Sequence, residues 1–156
     1  MKPLHYKADS AESKPAHYLP IYRRYLAEIA APAPVILEMG VHRGDSLEML
    51  ADYFPDALVV GVDAEAPERV FSTSRIKVYE GLQDDPALYA RIAAENGISV
   101  FDLIIDDCAH IGSIAAASFQ ILFPKLKAGG LYIIEDWGAG YWPKWPEGAL
   151  FEEALH

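Results

Sequence analysis

Basic residues are scarce in this sequence. Lysine and arginine number 13 against 23 aspartates and glutamates, giving a formal net charge of −10 over 156 residues. A surface of that sign repels phosphate backbones, and the single basic pair, Arg23-Arg24, falls in a helical stretch, so no nucleic-acid partner is expected. Cysteine is nearly absent. Cys108 stands alone, which excludes an internal disulfide and makes a reducing cytoplasm the expected compartment. Long apolar runs are missing too: none approaches the roughly 18 residues needed to cross a bilayer. The stretch Met1 to Lys14 lacks the apolar centre of a secretory signal, so no membrane attachment is expected. Also missing is the G-x-G-x-x-G spacing of pyrophosphate-binding loops, which argues against a dinucleotide.

What is present is an apolar half, 52% of residues, enough for the core of one domain. A helix is expected from Ala16 to Ala31, stopped by the Pro32 and Pro34 pair. Short apolar runs then alternate with helical stretches. Strands are expected at Val35–Met39, Ala57–Val62, Ile76–Tyr79, Phe101–Ile105 and Leu131–Ile134, and helices at Asp45–Tyr53, Asp85–Glu95 and Ser113–Leu126. Runs apolar on both faces, separated by helices, describe a mostly parallel sheet covered on both sides. The fold class is therefore α/β, a doubly wound Rossmann-like sandwich, here ending soon after its fifth strand.

Ligands of such sheets bind outside the carboxyl ends of the strands. The first strand ends in Glu38-Met39-Gly40-Val41-His42-Arg43-Gly44 and leads into a helix. Glycines there let the backbone approach a ligand, and the helix N-terminus offers free N–H groups. The second strand ends at Asp63, placed to accept from both hydroxyls of a ribose. After the third strand, Gly81-Leu82-Gln83-Asp84-Asp85 offers polar groups to an adenine edge, although Asp84 or Asp85 serves equally well as a helix N-cap.

The fourth strand ends in Asp106-Asp107-Cys108-Ala109-His110 and the fifth in Glu135-Asp136. If these strands are neighbours, their tips lie roughly 4.8 Å apart, and four carboxylates share a small volume. Like charges that close call for a neutralising cation, and an all-oxygen set favours Mg²⁺, Ca²⁺ or Mn²⁺ over zinc. His110 suits a general base.

The stretches VILEMGVHRGDSLEML, VVGVDAE and FDLIIDDCAHIGSIAAASFQILFPKLKAGGLYIIEDW resemble the metal-dependent class I sugar O-methyltransferases of macrolide biosynthesis. They are also similar to the cephalosporin-hydroxylase-like methyltransferases. The resemblance runs from about His17 to Trp137, and its most specific element is IDD-x-x-H followed by IED. It implies S-adenosylmethionine as cofactor and a hydroxylated small molecule, such as a deoxysugar, as acceptor. It further implies Mg²⁺ held by Asp107, Glu135 and Asp136, with His110 as base. Glu38, Gly40, Gly44, Ser46 and Asp63 would line the methionine and ribose end, Gln83 and Asp84 the adenine, and Asp106 joins this cofactor set. The adenine turn carries Leu82 where the family has an acidic residue. Two alternatives stand beside this one: a non-catalytic cofactor-binding or interaction module on the same fold, and an NAD-dependent oxidoreductase.

Residues 1–136 read as the cofactor-binding core and 137–156 as a tail of the same domain, with Trp137, Trp142 and Trp145 interleaved with Pro143 and Pro146 and a short helix at about Glu147–Leu155. A sheet ending at the fifth strand leaves a bare apolar edge. The tail could fold back over it, two copies could pair through the edge or the tail, or the natural chain could be longer; of these a homodimer is the favoured expectation.

Overall fold

The computed structural model describes Leu4, residues 17–142 and residues 144–147. Helix α1 (Tyr18–Leu26) precedes β1 (Val35–Met39), α2 (Asp45–Tyr53), β2 (Leu58–Asp63), β3 (Ile76–Glu80), α3 (Pro86–Asn96), β4 (Phe101–Asp106), α4 (Gly112–Leu122) and β5 (Leu126–Ile134). The five strands pair in parallel, in the order β3-β2-β1-β4-β5. Strands rich in Val, Ile and Leu are buried on both faces, as a helix-covered parallel sheet requires. On one face Ile36, Val59, Leu103 and Ile105 pack under Leu47 and Leu50 of α2 and Tyr22 and Leu26 of α1. On the other, Leu37, Met39, Val60, Val62 and Ile104 pack under Leu88, Tyr89 and Ile92 of α3 and Leu122 of α4. The expected doubly wound architecture is the observed one. No helix among the described residues is long and apolar enough to cross a membrane.

The strand order reverses between β1 and β4, which opens the sheet at its carboxyl end. There Gly40 takes φ +90°, and a Cβ on it would lie 2.0 Å from the Asp107 carbonyl oxygen. Only glycine allows the two strand ends to approach this closely.

Three boundaries differ from expectation by more than two residues. Helix α1 ends at Leu26, where i→i+3 bonds from Glu28 N to Tyr25 O and from Ile29 N to Leu26 O tighten the turn. Helix α4 stops at Leu122 rather than Leu126, because Pro124 passes into a short 3₁₀ turn, Phe123–Lys125. Strand β5 begins at Leu126 instead of Leu131. Leu126 pairs with Phe101, the register then shifts, and Leu131 pairs with Leu103. Asp85 resolves the choice of cap: its side chain accepts from Ala87 N at 2.9 Å with Pro86 at the first helical position, while Asp84 stays exposed. The expected helix at Glu147–Leu155 lies, beyond Glu147, outside the described residues.

Candidate active site

Two groups of side chains meet at the carboxyl ends of β1, β2, β4 and β5. The first is the loop after β1. Asp63 Oδ2 accepts from Val41 N at 2.7 Å and His42 N at 2.8 Å, and its Oδ1 accepts from Glu65 N at 3.0 Å. The carboxylate at the end of β2 thus fixes the glycine loop. It also lines an open polar crevice with Gly40, His42, Glu65, Asp107 and Cys108. Gly44 (φ +78°) begins α2, and a Cβ there would meet the Phe71 ring at 2.5 Å. Ser46, two residues on in the first turn, donates to Glu38 Oε2 at 2.6 Å, and both side chains are buried. Burial pushes the Cys108 thiol up to about 12. It therefore stays protonated near neutrality and is a poor nucleophile.

The second group is acidic, and its membership follows the pleat of the sheet. Side chains alternate along a strand, and registered residues of parallel neighbours share a face. Glu38 pairs with Ile105, and Met39 with Asp106. Glu38, Asp107 and Glu135 fall on the α1 side, where their carboxylate oxygens lie within 4.8 Å of one another. Asp107, His110 and Asp136 form a second such set, sharing Asp107 with the first. His110 Nε2 lies 3.8 Å from Asp107 Oδ1 and 4.0 Å from Asp136 Oδ2. Both His110 (φ +52°) and Asp136 (φ +49°) hold left-handed backbones, strain of the kind that gathers at functional sites.

Asp106 does not join the cluster expected of four neighbouring carboxylates. It falls on the opposite face, buried, where Gln83 Nε2 donates to its Oδ1 at 3.1 Å. The same amide donates to Ser118 Oγ at 2.9 Å, and Gln83 Oε1 accepts from Ala109 N at 2.8 Å. Both polar atoms of the Gln83 side chain are thus engaged within the protein, wedging the β4 tip against α4. Burial pushes the Asp106 carboxyl up, partly opposed by the bond from Gln83. The structure therefore brings Glu38, Asp63, Asp107, His110, Glu135 and Asp136 to one end of the sheet. Gln83 is buried behind them, and Asp106, on the opposite face of the sheet, lines a recess with His110 and Glu135.

Four contributors were not anticipated. Tyr18 donates to Asp136 Oδ1 at 2.6 Å, and Tyr22 donates to Glu135 Oε1. The bond to Asp136 is the main cause that pushes the Tyr18 phenol up to about 12. Glu147 caps α4 from outside the helix, accepting from Ser113 N at 2.9 Å. Trp145 Nε1 donates to the His110 carbonyl at 2.8 Å. The described tail therefore folds over His110 and the start of α4. Trp137 completes a mainly apolar recess with His110, Ile111, Ala115 and Ile134.

The residues fit both groups that the family resemblance implies. The oxygens on the α1 side are close enough to share a small hard cation, and the Gly40–Asp63 crevice is open, polar and free of side-chain bulk at Gly40.

No family profile matches the chain. Among curated proteins it is 41% identical over 138 residues to the L-olivosyl-oleandolide 3-O-methyltransferase of Streptomyces antibioticus, a match covering 82% of this chain and 35% of that protein. It is 35% identical over 133 residues to the mycinamicin VI 2''-O-methyltransferase of Micromonospora griseorubida, covering 81% of this chain and 33% of that protein. Among solved structures, the methyltransferase MycE of the mycinamycin biosynthetic pathway, in complex with Mg and SAH, superposes with a TM-score of 0.75. That match has 34% identity over 85% of this chain and 35% of MycE. The chain spans about a third of the length of these relatives. In sequence and in fold, the chain is a homologue of the sugar O-methyltransferases of macrolide and polyketide pathways.

Proposed function

We propose that this chain binds S-adenosylmethionine and, with Mg²⁺, directs its methyl group to a hydroxyl of a small-molecule acceptor, of the class of natural-product sugars. The observation that carries the reading is the meeting, where strand order reverses, of the Gly40–Asp63 crevice with the carboxylates of Glu38, Asp107 and Glu135, and with His110 alongside. Support also comes from the relatives, named for transfer to sugars of such compounds, and from MycE, solved with Mg and SAH.

Asp107, Glu135 and Asp136 would hold the ion, with Glu38 as the buried carboxylate beside them. A Mg²⁺ there would lower the pKa of an acceptor hydroxyl and fix its position. S-adenosylmethionine supplies a methyl group already activated on sulfonium. Gly40, Gly44 and the Ser46–Glu38 pair would hold the methionine end of the cofactor, and Asp63, which braces the loop, would accept from the ribose hydroxyls. Exposed Asp84 stays the candidate for the adenine edge, and Gln83 with Asp106 holds the strand tip from behind. His110 would take the acceptor hydroxyl proton on Nε2, while the cofactor would supply the methyl group and leave as S-adenosylhomocysteine. The carboxylates of Asp107 and Asp136 nearby stabilise the imidazolium that results. Positioning supplies most of the acceleration, since the methyl group needs no further activation. Residues 1–136 act as the cofactor-binding core and 137–156 as a tail of that domain, working in the cytoplasm.

The test is a methyl-transfer assay. S-adenosylmethionine carrying a labelled methyl group is offered with a panel of glycosylated macrolides and nucleotide deoxysugars, with and without Mg²⁺. Label on a sugar oxygen, only with Mg²⁺, is the expected result. Cofactor binding with no transfer to any acceptor would favour the non-catalytic module.

We also propose a homodimer through the outer edge of β5. Among the described residues no strand pairs with that edge. Exposed Ile21 and Tyr25 of α1 flank it on one face and exposed Phe119 and Phe123 on the other. An apolar strand edge left in this state favours pairing with a second copy. Light scattering at micromolar concentration should give twice the chain mass. A monomer mass would overturn the dimer.

A further inference from the structure

Helix α1 does more than cover the sheet. Tyr18, Tyr22 and Leu26 recur at intervals of four and so lie along one face of the helix. Leu26 and Tyr22, 1% and 4% exposed, anchor that face in the core. The two phenols then meet two consecutive carboxylates, Tyr22 at Glu135 and Tyr18 at Asp136. Consecutive residues of a strand point to opposite faces, so this needs a break in the pleat. The left-handed backbone of Asp136 supplies it at the end of β5.

We infer that Tyr18 and Tyr22 are positioning residues for a divalent cation, holding Asp136 and Glu135 in the orientation in which the two carboxylates ligate it. The inference rests on the function proposed above. The chemistry of the phenol favours this role over packing alone. Phenylalanine would fill the same space, and a buried phenol is retained where its O–H has a partner. A lysine would orient the carboxylates too, but its charge would compete with the cation. A phenol donates one proton to one oxygen and brings no charge of its own to compete with the metal. Partners of this kind fix ligand geometry, and their loss typically weakens metal binding by about 10- to 100-fold.

The test reads the metal directly, without an acceptor. Mn²⁺ is titrated into the parent chain, Tyr22→Phe, Tyr18→Phe and Tyr25→Phe, with the free ion followed by electron paramagnetic resonance. S-adenosylhomocysteine affinity is measured on the same samples without metal. Tyr22→Phe should bind Mn²⁺ about 10- to 100-fold more weakly, Tyr18→Phe should show a smaller loss in the same direction, and Tyr25→Phe, on the exposed side of the helix, should match the parent. S-adenosylhomocysteine affinity should be unchanged in all four. Parent-like Mn²⁺ affinity in both Tyr18→Phe and Tyr22→Phe would overturn the positioning role and leave the proposed function standing. So would an equal loss of Mn²⁺ and S-adenosylhomocysteine affinity, which marks general loosening. Failure of the parent itself to take up Mn²⁺ would overturn the proposed metal site and this role with it.

Discussion

Asp107→Ala is expected to abolish methyl transfer while S-adenosylhomocysteine still binds. Asp107 is the one carboxylate common to both acidic sets at the sheet end, so its removal breaks each of them. Glu135→Ala, at a buried position, and Asp136→Ala should behave alike. An ion that polarises the reacting oxygen contributes several kcal/mol to the barrier. A loss of about 4 kcal/mol is a factor of ~10³ in rate, near or below detection. A chelator should reproduce the loss in the parent, and added Mg²⁺ should reverse it. Activity indifferent to chelation would remove the acidic centre from the chemistry, leaving it as a structural feature of the strand ends.

The second large effect is expected at His110. Removing a general base typically costs about two to four decades in rate. Asparagine is the better replacement. Position 110 holds φ +52°, which asparagine tolerates and alanine does not, and the Trp145 bond reaches the backbone carbonyl and survives the change. His110→Asn should therefore keep its fold and its Mn²⁺ affinity and lose kcat. The remaining rate should climb with pH, because hydroxide then takes over the proton transfer. A variant as active as the parent would reduce the histidine to a packing role.

Much of the fold is legible in the chain because burial on both faces leaves a simple mark. Val35–Met39 and Asp45–Tyr53 match their observed bounds, as runs of apolar residues between glycine and proline signals should. The misplaced boundaries have local causes. Pro124 ends the helix inside an otherwise helical apolar pattern, and the Lys127–Gly130 stretch separates the first strand residue, Leu126, from Leu131 by a register shift. In the site, spacing alone suggested that Asp106 and Asp107 act together. The two-residue period of the strand separates them and brings Glu38 in from β1, a signal the sequence did carry once strand neighbours are known. Other features had no local mark. Gln83 could not be seen to turn inward, because its partners Asp106 and Ser118 lie 23 and 35 residues away. The Glu147 cap on α4 comes from 34 residues beyond Ser113. The tyrosines of α1 looked like part of an amphipathic stripe, and only the docked helix reveals that Tyr18 and Tyr22 face carboxylates more than a hundred residues on.

The central claim is that the Gly40–Asp63 crevice takes S-adenosylmethionine, and calorimetric titration of the parent chain with S-adenosylhomocysteine and with NAD tests it most directly. A ligand that binds only the folded state at a hundred times its Kd stabilises it by ~2.7 kcal/mol, so the melting temperature gives an independent reading of the same event. The account predicts saturable one-to-one binding of S-adenosylhomocysteine, no heat with NAD, and loss of most of the signal in Asp63→Ala. Binding of NAD as tight as that of S-adenosylhomocysteine, or no binding of S-adenosylhomocysteine at all, would contradict it.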